Sequence, residues 1–496
     1  MLRHACIALA AISIALAGLA VPARGQQEPP PVPIFVDVDG DLAFTPAVDI
    51  GPGAANDVDI RALILADGKF NTQQNEGAYR APQTPASLVI PETERLDLMV
   101  PVDLKAGMHL VMRGMLSAPS ISLRSGNDRG AEPDETRYGV ICRSTAEGRG
   151  SVDLTNALCS FATKMQVTAG ADVYLDGAGI TGWDLVSALT VNAGRDISVM
   201  PTAEYGASLG CTTSILLDAA RNIAVGDAYL GAYDPLGYVK LIADETVTSA
   251  GGMAVDSAGK ITVQSNCASV RVEAGSLYGQ TVVVNAETSI AMSGASVYAA
   301  GAFTANAGCV LDLCSGMPAT ITAGSMNLKG ASGLEARNLF AQATAGTCAL
   351  NSSCGPLAFD DAYIQSAGGF TAHAETHLSA ARAWVSSNDY ARLYADRGAM
   401  DASGSTIAPF DPVADPTTSI TAQSRCDLNA ADARWGSPAR INIKSTEGNV
   451  HLERGAFDSP RSVIRAFGLD IYVTETTGFS GTVSYGPSGY QLIIVP

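Results

Sequence analysis

Six charged residues in the C-terminal third of the chain have the side chains that cleavage of a polysaccharide requires. They are Asp360, Asp361, Asp411, Asp415, Arg434 and Arg440. Glycosidic bonds are cleaved by paired carboxylates, or by a base working beside a groove. Asp411 and Asp415 each precede a proline, however, and turn formation is a sufficient explanation for both. We therefore predict no catalytic residue and retain cleavage of a polysaccharide as the alternative function.

Three aspartates near the N-terminus resemble the start of a calcium-binding loop. Asp37, Asp39 and Asp41 place carboxylates at alternate positions around a glycine, and hard oxygen ligands of this kind bind Ca²⁺. The closing glutamate of such a loop is replaced by Val48. We interpret the three acids as solvated residues of an edge strand and predict no cofactor, with calcium as the alternative.

A second group with metal-ligand chemistry is His373, Glu375 and His377, which occupy every second position. Imidazole and carboxylate groups bind zinc, but the sequence supplies no fourth ligand. If Ala374 and Leu378 point inward, the three polar side chains point to solvent. The pattern predicts an exposed polar ladder, and we predict no metal-binding residue.

The ten cysteines are informative about the compartment. Cys6 lies in the leading apolar run, and nine others fit an oxidising environment. Cys142 and Cys159 flank an insertion, which makes them the preferred disulfide pair. Two other pairs are close in sequence but too far apart if the chain between them is extended, namely Cys309 with Cys314 and Cys348 with Cys354.

Charge and composition exclude several functions. The chain of 496 residues has 31 Lys and Arg against 49 Asp and Glu, a net charge of −18. Such a surface repels phosphate, so we predict no nucleic-acid partner and no anionic membrane partner. Only 16% of the residues are charged and 50 are glycine, a composition that suits short strands and tight corners.

The N-terminus has the pattern of a secretory signal. A basic start is followed by the apolar run Ala5–Val21 and then by Pro-Ala-Arg-Gly. We predict cleavage after Ala23 or Gly25, a mature chain without a transmembrane segment, and a secreted or cell-surface protein. An N-terminal membrane anchor is the alternative.

The segment Thr281–Met292 shows the pattern from which we predict the secondary structure of the chain. Val282, Val284 and Ala286 alternate with other residues, and Ile290 and Met292 resume the alternation after a short polar break. Apolar residues at every second position share one face of a strand, so the segment reads as strand, corner, strand.

This pattern of apolar and small residues recurs along about 350 residues. We phase it on the small residue that ends its first strand, and the commonest step is 21 residues. The sixteen anchor residues are Ala106, Ser125, Ala169, Ala193, Ala219, Ala243, Ser265, Ala286, Ala307, Ala323, Ala345, Ala374, Ala395, Ser424, Ser445 and Ala466. One such unit cannot enclose a core, so the units must stack. At about 4.8 Å per coil, sixteen coils would form a rod of about 75 Å.

The phrasing resembles the repeats of filamentous haemagglutinin-like adhesins and of right-handed parallel β-helix proteins. It is carried by segments such as Leu189-Thr-Val-Asn-Ala-Gly-Arg-Asp-Ile-Ser-Val199 and Ile215-Leu-Leu-Asp-Ala-Ala-Arg-Asn-Ile-Ala-Val225. The resemblance covers roughly residues 100–475. It implies an all-β, right-handed parallel β-helix (β-solenoid) of about 20–22 residues per coil. It says little about activity, because the same coil serves adhesins, lyases and hydrolases.

The predicted organisation follows from the limits of the repeat. Residues 1–25 form the signal peptide, 26–95 a Pro-rich lead and N-terminal cap, 96–477 the solenoid, and 478–496 a C-terminal hairpin cap. Four longer intervals are predicted to project as loops, and they are Asn127–Ser160, Thr202–Ser214, Asn351–Gly369 and Ser403–Ser419.

We conclude from the sequence that the protein is a secreted or surface-exposed structural, adhesin-like β-helix without catalysis. Its expected partner is an extracellular polysaccharide or another cell-surface component. The alternative is a polysaccharide lyase or glycoside hydrolase of the β-helix type.

Overall fold

The predicted strands stack in parallel, and their register places equivalent residues of successive coils directly above one another. The computed structural model describes residues 94–106, 109–126, 150–249, 251–409, 417–467, 470–486 and 491–495, with short stretches before residue 94 and between 135 and 142. Every regular element in this part of the chain, beyond turns, is a β-strand. The fold is a parallel β-solenoid of about 16 turns, as the repeat predicts.

Each coil contributes to three sheets. Sheet 1 consists of short strands, which are β4 (Ser87–Ile90), β7 (Leu110–Met112), β11 (Val152–Asp153), β13 (Val173–Tyr174), β16 (Ile197–Val199), β19 (Ile223–Val225), β22 (Val247–Ser249), β24 (Val270–Glu273), β26 (Ile290–Ser293), β28 (Val310–Asp312), β30 (Gly333–Glu335), β33 (Leu357–Ala358), β36 (Leu378–Ser379), β39 (Met400–Asp401), β42 (Leu428–Asn429), β45 (Val450–His451), β48 (Ile471–Thr474) and β51 (Leu492–Val495). Two further strands, β1 (Phe35–Asp37) and β2 (Val48–Asp49), are antiparallel, β1 pairing with both β2 and β4.

Sheets 2 and 3 follow in each coil. In six coils one long strand runs through both sheets, and these strands are β8 (Met115–Ser125), β12 (Leu158–Ala169), β23 (Ala254–Ser265), β25 (Ser276–Ala286), β27 (Ser296–Ala307) and β29 (Thr320–Gly330). The other strands of sheet 2 are β5 (Arg95–Asp97), β14 (Gly179–Gly182), β17 (Ala207–Cys211), β20 (Ala228–Ala232), β31 (Phe340–Ala343), β34 (Tyr363–Ser366), β37 (Trp384–Ser387), β40 (Thr406–Ala408), β43 (Arg434–Gly436), β46 (Ala456–Asp458) and β49 (Gly478–Phe479).

The other strands of sheet 3 are β3 (Lys69–Asn71), β6 (Val102–Ala106), β15 (Ala188–Ala193), β18 (Ser214–Ala219), β21 (Tyr238–Ala243), β32 (Cys348–Ser352), β35 (Phe370–Ala374), β38 (Tyr390–Ala395), β41 (Ser419–Ser424), β44 (Arg440–Ser445), β47 (Arg461–Ala466) and β50 (Thr482–Gly486). A separate antiparallel pair, β9 (Glu135–Arg137) and β10 (Val140–Cys142), lies in the predicted insertion Asn127–Ser160.

The core is the interior of this stack. Most strands of sheet 3 alternate buried residues with more exposed ones, as in Ala188–Ala193. Val282, Val284 and Ile290 are each fully buried. Stacked parallel strands satisfy the backbone groups between coils, and identical or similar apolar residues pack above one another inside.

The anchor column is confirmed for most of its length. Ala286 pairs with Ala307 across neighbouring coils, and Ala374 pairs with Ala395. The predicted anchors Ala323 and Ala345 are wrong, because the residues that occupy the column in those coils are Gly330 and Ser352. The corner after β28 is long and delays the next strand, so Ala323 lies in sheet 2 and Ala345 lies in the turn between β31 and β32.

Correcting the anchors removes one predicted insertion. The column runs through positions 307, 330, 352 and 374, with steps of 23, 22 and 22 residues. Asn351–Gly369 is therefore an ordinary part of the coil and contains β33 and β34. Thr202–Ser214 likewise includes β17 of sheet 2.

Both ends differ from the predicted caps. The last two strands, β50 and β51, do not pair with each other as a hairpin but pair in parallel with β47 and β48. They form one more coil, so the predicted C-terminal hairpin is wrong. At the other end, β3 and β5 already stack in parallel on β6 and β8, so coiling begins before residue 96.

Candidate functional site

The corner between sheets 1 and 2, called corner 2, holds Asp360 and Asp361, two of the carboxylates considered for polysaccharide cleavage. The Asp360 carboxylate accepts hydrogen bonds from the Ser379 hydroxyl at 2.5 Å and from the Ala381 amide at 2.9 Å. Arg382 donates two hydrogen bonds to the Asp361 carboxylate, from Nε at 2.7 Å and from Nη2 at 2.6 Å. Both carboxylates are therefore engaged by the next coil rather than directed across a groove.

Corner 2 repeats this arrangement at Asp432 and Arg454, which are joined by two hydrogen bonds of 2.8 Å. All four residues of the two pairs have positive φ values of 55–57°. The hydrogen bonds from Arg382 hold the pKa of Asp361 below its usual value, and Arg454 does the same for Asp432. A carboxyl group with a lowered pKa is a poor general acid, which weakens a catalytic role.

Of the other four residues considered for cleavage, the structure describes Arg434 and Arg440. Asp411 and Asp415 lie outside the described residues. Arg434 begins a strand of sheet 2 and Arg440 begins a strand of sheet 3, and both are exposed. The described residues therefore do not gather this set into one groove.

The polar ladder predicted at His373, Glu375 and His377 is present. Ala374 and Leu378 are buried, as the alternation requires. His373 Nε2 lies 2.8 Å from a carboxylate oxygen of Asp396, while Glu375 pairs with an arginine of the next coil at 2.7 Å. Among the described residues, no group of three or more His, Cys, Asp or Glu side chains is arranged to hold a metal ion.

Two other predictions concern the N-terminal aspartates and the disulfide. Asp37 ends β1, whereas Asp39 and Asp41 lie outside the described residues. The predicted Cys142–Cys159 disulfide is wrong, because Cys159 is a free, buried thiol. Burial raises the pKa of Cys159 to about 12.

The feature that the sequence analysis missed is the outer surface of sheet 2. Seven successive strands, from β25 to β40, carry no charged residue in their sheet 2 segments. We call the outward-facing residues of these seven segments the aromatic strip. It contains five aromatic residues, Tyr278, Tyr298, Phe340, Tyr363 and Trp384, and two amides, Gln342 and Gln365, and its other positions are Ser, Thr and Ala.

The limits of the aromatic strip are charged. Asp256 pairs with Tyr278 from the preceding coil, and Arg434 pairs with Thr406 from the following one. Seven strands at about 4.8 Å span about 29 Å along the solenoid axis. An uncharged surface of this length is notable in a chain with 80 charged residues, 31 basic and 49 acidic.

The rings of the aromatic strip stack along the solenoid axis. The Tyr278 and Tyr298 ring centroids are 4.4 Å apart with planes at 14°. Phe340 and Tyr363 are 5.2 Å apart at 3°, and Tyr363 and Trp384 are 4.3 Å apart at 4°. These separations follow from the coil spacing, since residues in register are held about 4.8 Å apart.

The two amides are fixed beside the rings. Gln342 Nε2 donates to Gln365 Oε1 at 3.1 Å, and Gln365 Nε2 donates to the Tyr363 hydroxyl at 2.7 Å. These two hydrogen bonds orient the amides, and they leave the Gln342 oxygen and the remaining amide N–H groups at the surface. Together with the rings, it offers apolar contact and directional hydrogen bonding without charge.

A sequence signal for the strip exists but depends on correct phasing. Phe340, Tyr363 and Trp384 recur after 23 and 21 residues, and Gln342 and Gln365 follow two positions behind the first two. The misplaced anchors at Ala323 and Ala345 hid this recurrence. Trp384 lies within β37 and stacks on Tyr363.

Comparison of the chain with protein-family models, with curated proteins and with solved structures gives no match. The class is therefore defined by the fold alone, and it is the parallel β-solenoid. In the described part of the chain, no helix has the length and apolar character needed to cross a membrane.

Proposed function

We propose that the protein is a secreted or cell-surface, adhesin-like β-solenoid that binds a neutral extracellular polysaccharide along the aromatic strip without cleaving it. The observation that carries the proposal is the uncharged run of rings, amides and hydroxyl groups on sheet 2. The secretory pattern at the N-terminus supports the location, and the resemblance of the repeats to adhesin repeats supports a structural, adhesive role.

The chemistry of the strip favours a neutral sugar polymer. Ring edges and faces contact the apolar C–H surfaces of sugars, while Gln342, Gln365 and the strip's hydroxyl groups match sugar hydroxyl groups. The net charge of −18 disfavours an acidic polymer, since like charges repel. The repetition along about 29 Å suits a polymer better than a small ligand.

A non-catalytic role is supported by the engagement of the candidate carboxylates. Asp360 and Asp361 lie in corner 2 and are bonded to the following coil. Neither lies on the strip, so a chain bound there would not be held between two carboxylates. Cleavage by paired acids needs both groups beside the scissile bond.

Binding is tested with the purified mature chain and a panel of polysaccharides, by affinity electrophoresis or pull-down. We expect retardation by at least one neutral polymer such as a β-glucan or a galactomannan, and none by polygalacturonate or alginate. Trp384→Ala should weaken binding about threefold to tenfold, the change in affinity expected from the loss of one aromatic contact. Tyr394→Ala removes an aromatic residue of sheet 3 and serves as the matched control.

The same mixtures, with and without calcium, are analysed for new reducing ends and unsaturated products. We expect none. Release of products would support the alternative of a lyase or hydrolase, and retardation by acidic polymers alone would overturn the assignment of a neutral ligand.

A further inference from the structure

The two ring ladders of the aromatic strip end on opposite sides of one strand, β29. The first ladder ends at Tyr298 on β27, and the second begins at Phe340 on β31. On β29 the outward positions between them are Thr320 and Thr322. The ladders are therefore interrupted by one coil that has small hydroxyl side chains in place of rings.

The register shows which ring borders which threonine. Thr322 stands in the column of Tyr298, and Thr320 stands in the column of Phe340. Among the described residues, each of these rings stacks on one side only, Tyr298 against Tyr278 and Phe340 against Tyr363. Tyr298 and Phe340 are 39% and 40% exposed, so each presents a ring face to the gap.

The floor of the gap is polar. Among the described residues, neither the Thr320 nor the Thr322 hydroxyl has a hydrogen-bond partner, and Thr320 is exposed. A hydroxyl group donates one hydrogen bond and accepts two. The gap therefore combines two apolar walls with two free hydroxyl groups beneath them.

Its dimensions fit sugar rings. The strands of Tyr298 and Phe340 are two coils apart, about 9.6 Å along the axis at 4.8 Å per coil. Within each column the ring faces a threonine, with Gln342 beyond Thr322 and Ser296 on the other side of Thr320, so each column has room for one sugar ring. The two columns are two residues apart along the strand, about 6.6 Å, so two linked sugar units can lie side by side.

We propose that this gap binds one disaccharide unit of the neutral polysaccharide that the aromatic strip binds. One sugar ring stacks on Phe340 above Thr320, and its neighbour stacks on Tyr298 above Thr322, with the threonine hydroxyl groups bonded to sugar hydroxyl groups. The inference rests on the proposed function and locates its principal subsite.

The test fills the gap with rings. Thr320→Phe and Thr322→Tyr each extend an existing ladder by one member, a change that the adjacent coils already accommodate. We expect either substitution to weaken binding of the neutral polysaccharide identified above by more than about tenfold, because the sugar ring is displaced. Thr320→Ser and Thr322→Ser are the matched controls and should bind like the native protein.

Two further measurements keep the test decisive. Tyr298→Ala and Phe340→Ala remove the walls without filling the gap and should each weaken binding about threefold to tenfold. Soluble oligosaccharides of the same polymer should compete markedly better as disaccharide than as monosaccharide.

The outcomes separate the two proposals. Native binding by folded Thr320→Phe and Thr322→Tyr, together with weaker binding by Trp384→Ala, overturns the subsite and leaves polysaccharide binding intact. The absence of binding by the native protein to every neutral polymer overturns both. Circular dichroism and thermal unfolding establish whether each variant is folded. If Thr320→Phe or Thr322→Tyr does not fold, the binding of Tyr298→Ala and Phe340→Ala tests the subsite instead.

Discussion

Asp361 and Arg382 occupy the same left-handed position of corner 2 in successive coils, with φ values of 56° and 55°, and Arg382 donates two hydrogen bonds to the Asp361 carboxylate. These bonds lower the pKa of Asp361. A carboxyl group with a lower pKa in the folded state stabilises the fold above its unfolded pKa, about 3.9. That contribution is lost as the pH falls through the folded pKa.

We therefore expect Asp361→Asn to reduce stability near pH 7 by a small amount, since the pair is largely exposed. The difference between native and variant protein should shrink as the pH falls below about 4 and vanish once Asp361 is protonated. Urea unfolding followed by circular dichroism at pH 7, 4 and 2.5 measures this. Asp389→Asn, at an exposed aspartate without an ion pair among the described residues, should show no comparable effect.

Gly330 tests the anchor column, because it stands where most other coils have alanine or serine. A Cβ atom at Gly330 would lie 1.9 Å from the Gly333 carbonyl oxygen and 2.9 Å from the Leu311 amide nitrogen. We expect Gly330→Ala to lower the free energy of unfolding by about 1–3 kcal/mol, the usual cost of overpacking.

The matched control is Gly436→Ala, where an added Cβ meets no atom within 4 Å. Its unfolding free energy should stay within about 0.5 kcal/mol of the native value. Equal urea midpoints for the two variants would contradict the placement of Gly330 inside the column.

The sequence predicted the coil and most of the anchor column because alternation of period two is a local signal. It failed at Ala323 and Ala345 because an extended corner shifts the phase, and corner lengths are not encoded in the alternation. The hairpin prediction failed for a related reason. The sequence of Tyr485–Tyr490 is typical of a turn, but a turn does not determine whether the strands on either side of it pair with each other or with the preceding coil.

The functional surface was less accessible from the sequence. The stacked rings of Tyr363 and Trp384, and the pairing of Asp361 with Arg382, join residues 21 positions apart. Such contacts become visible only when the register between coils is known. Residue types alone drew attention to aspartates and histidines that the structure uses to join coils.

Thiol reactivity should distinguish three buried cysteines from three exposed ones. Burial raises the pKa values of three thiols to about 12, and they are Cys159, Cys211 and Cys348. Three others are exposed and free, and they are Cys309, Cys354 and Cys426. A thiolate is the reactive species, so at pH 8 the exposed group should react with a disulfide reagent and the buried group should not.

The reaction is followed by absorbance with and without denaturant. Cys354→Ser should remove one fast-reacting thiol, whereas Cys348→Ser should change only the number that reacts after unfolding. Rapid modification of Cys348 in the folded protein, identified by mass spectrometry, would show that β32 is not buried.

Tyr363 is sandwiched between Phe340 and Trp384, with its hydroxyl bonded to Gln365. Each stacked pair contributes about 0.5–1.5 kcal/mol, so Tyr363→Ala should lower the free energy of unfolding by about 1–3 kcal/mol. Tyr363→Phe keeps both stacks and loses one hydrogen bond, worth about 0.5–1.5 kcal/mol, so it should cost less. Among the described residues the Tyr394 ring has one ring contact, edge-on to an imidazole, so Tyr394→Ala should also cost less in the same urea titration. If the cost of Tyr363→Ala were no greater than that of Tyr394→Ala, the rings of the strip would not stabilise the coils. The backbone hydrogen bonds of sheet 2, rather than ring stacking, would then hold the strip residues in place.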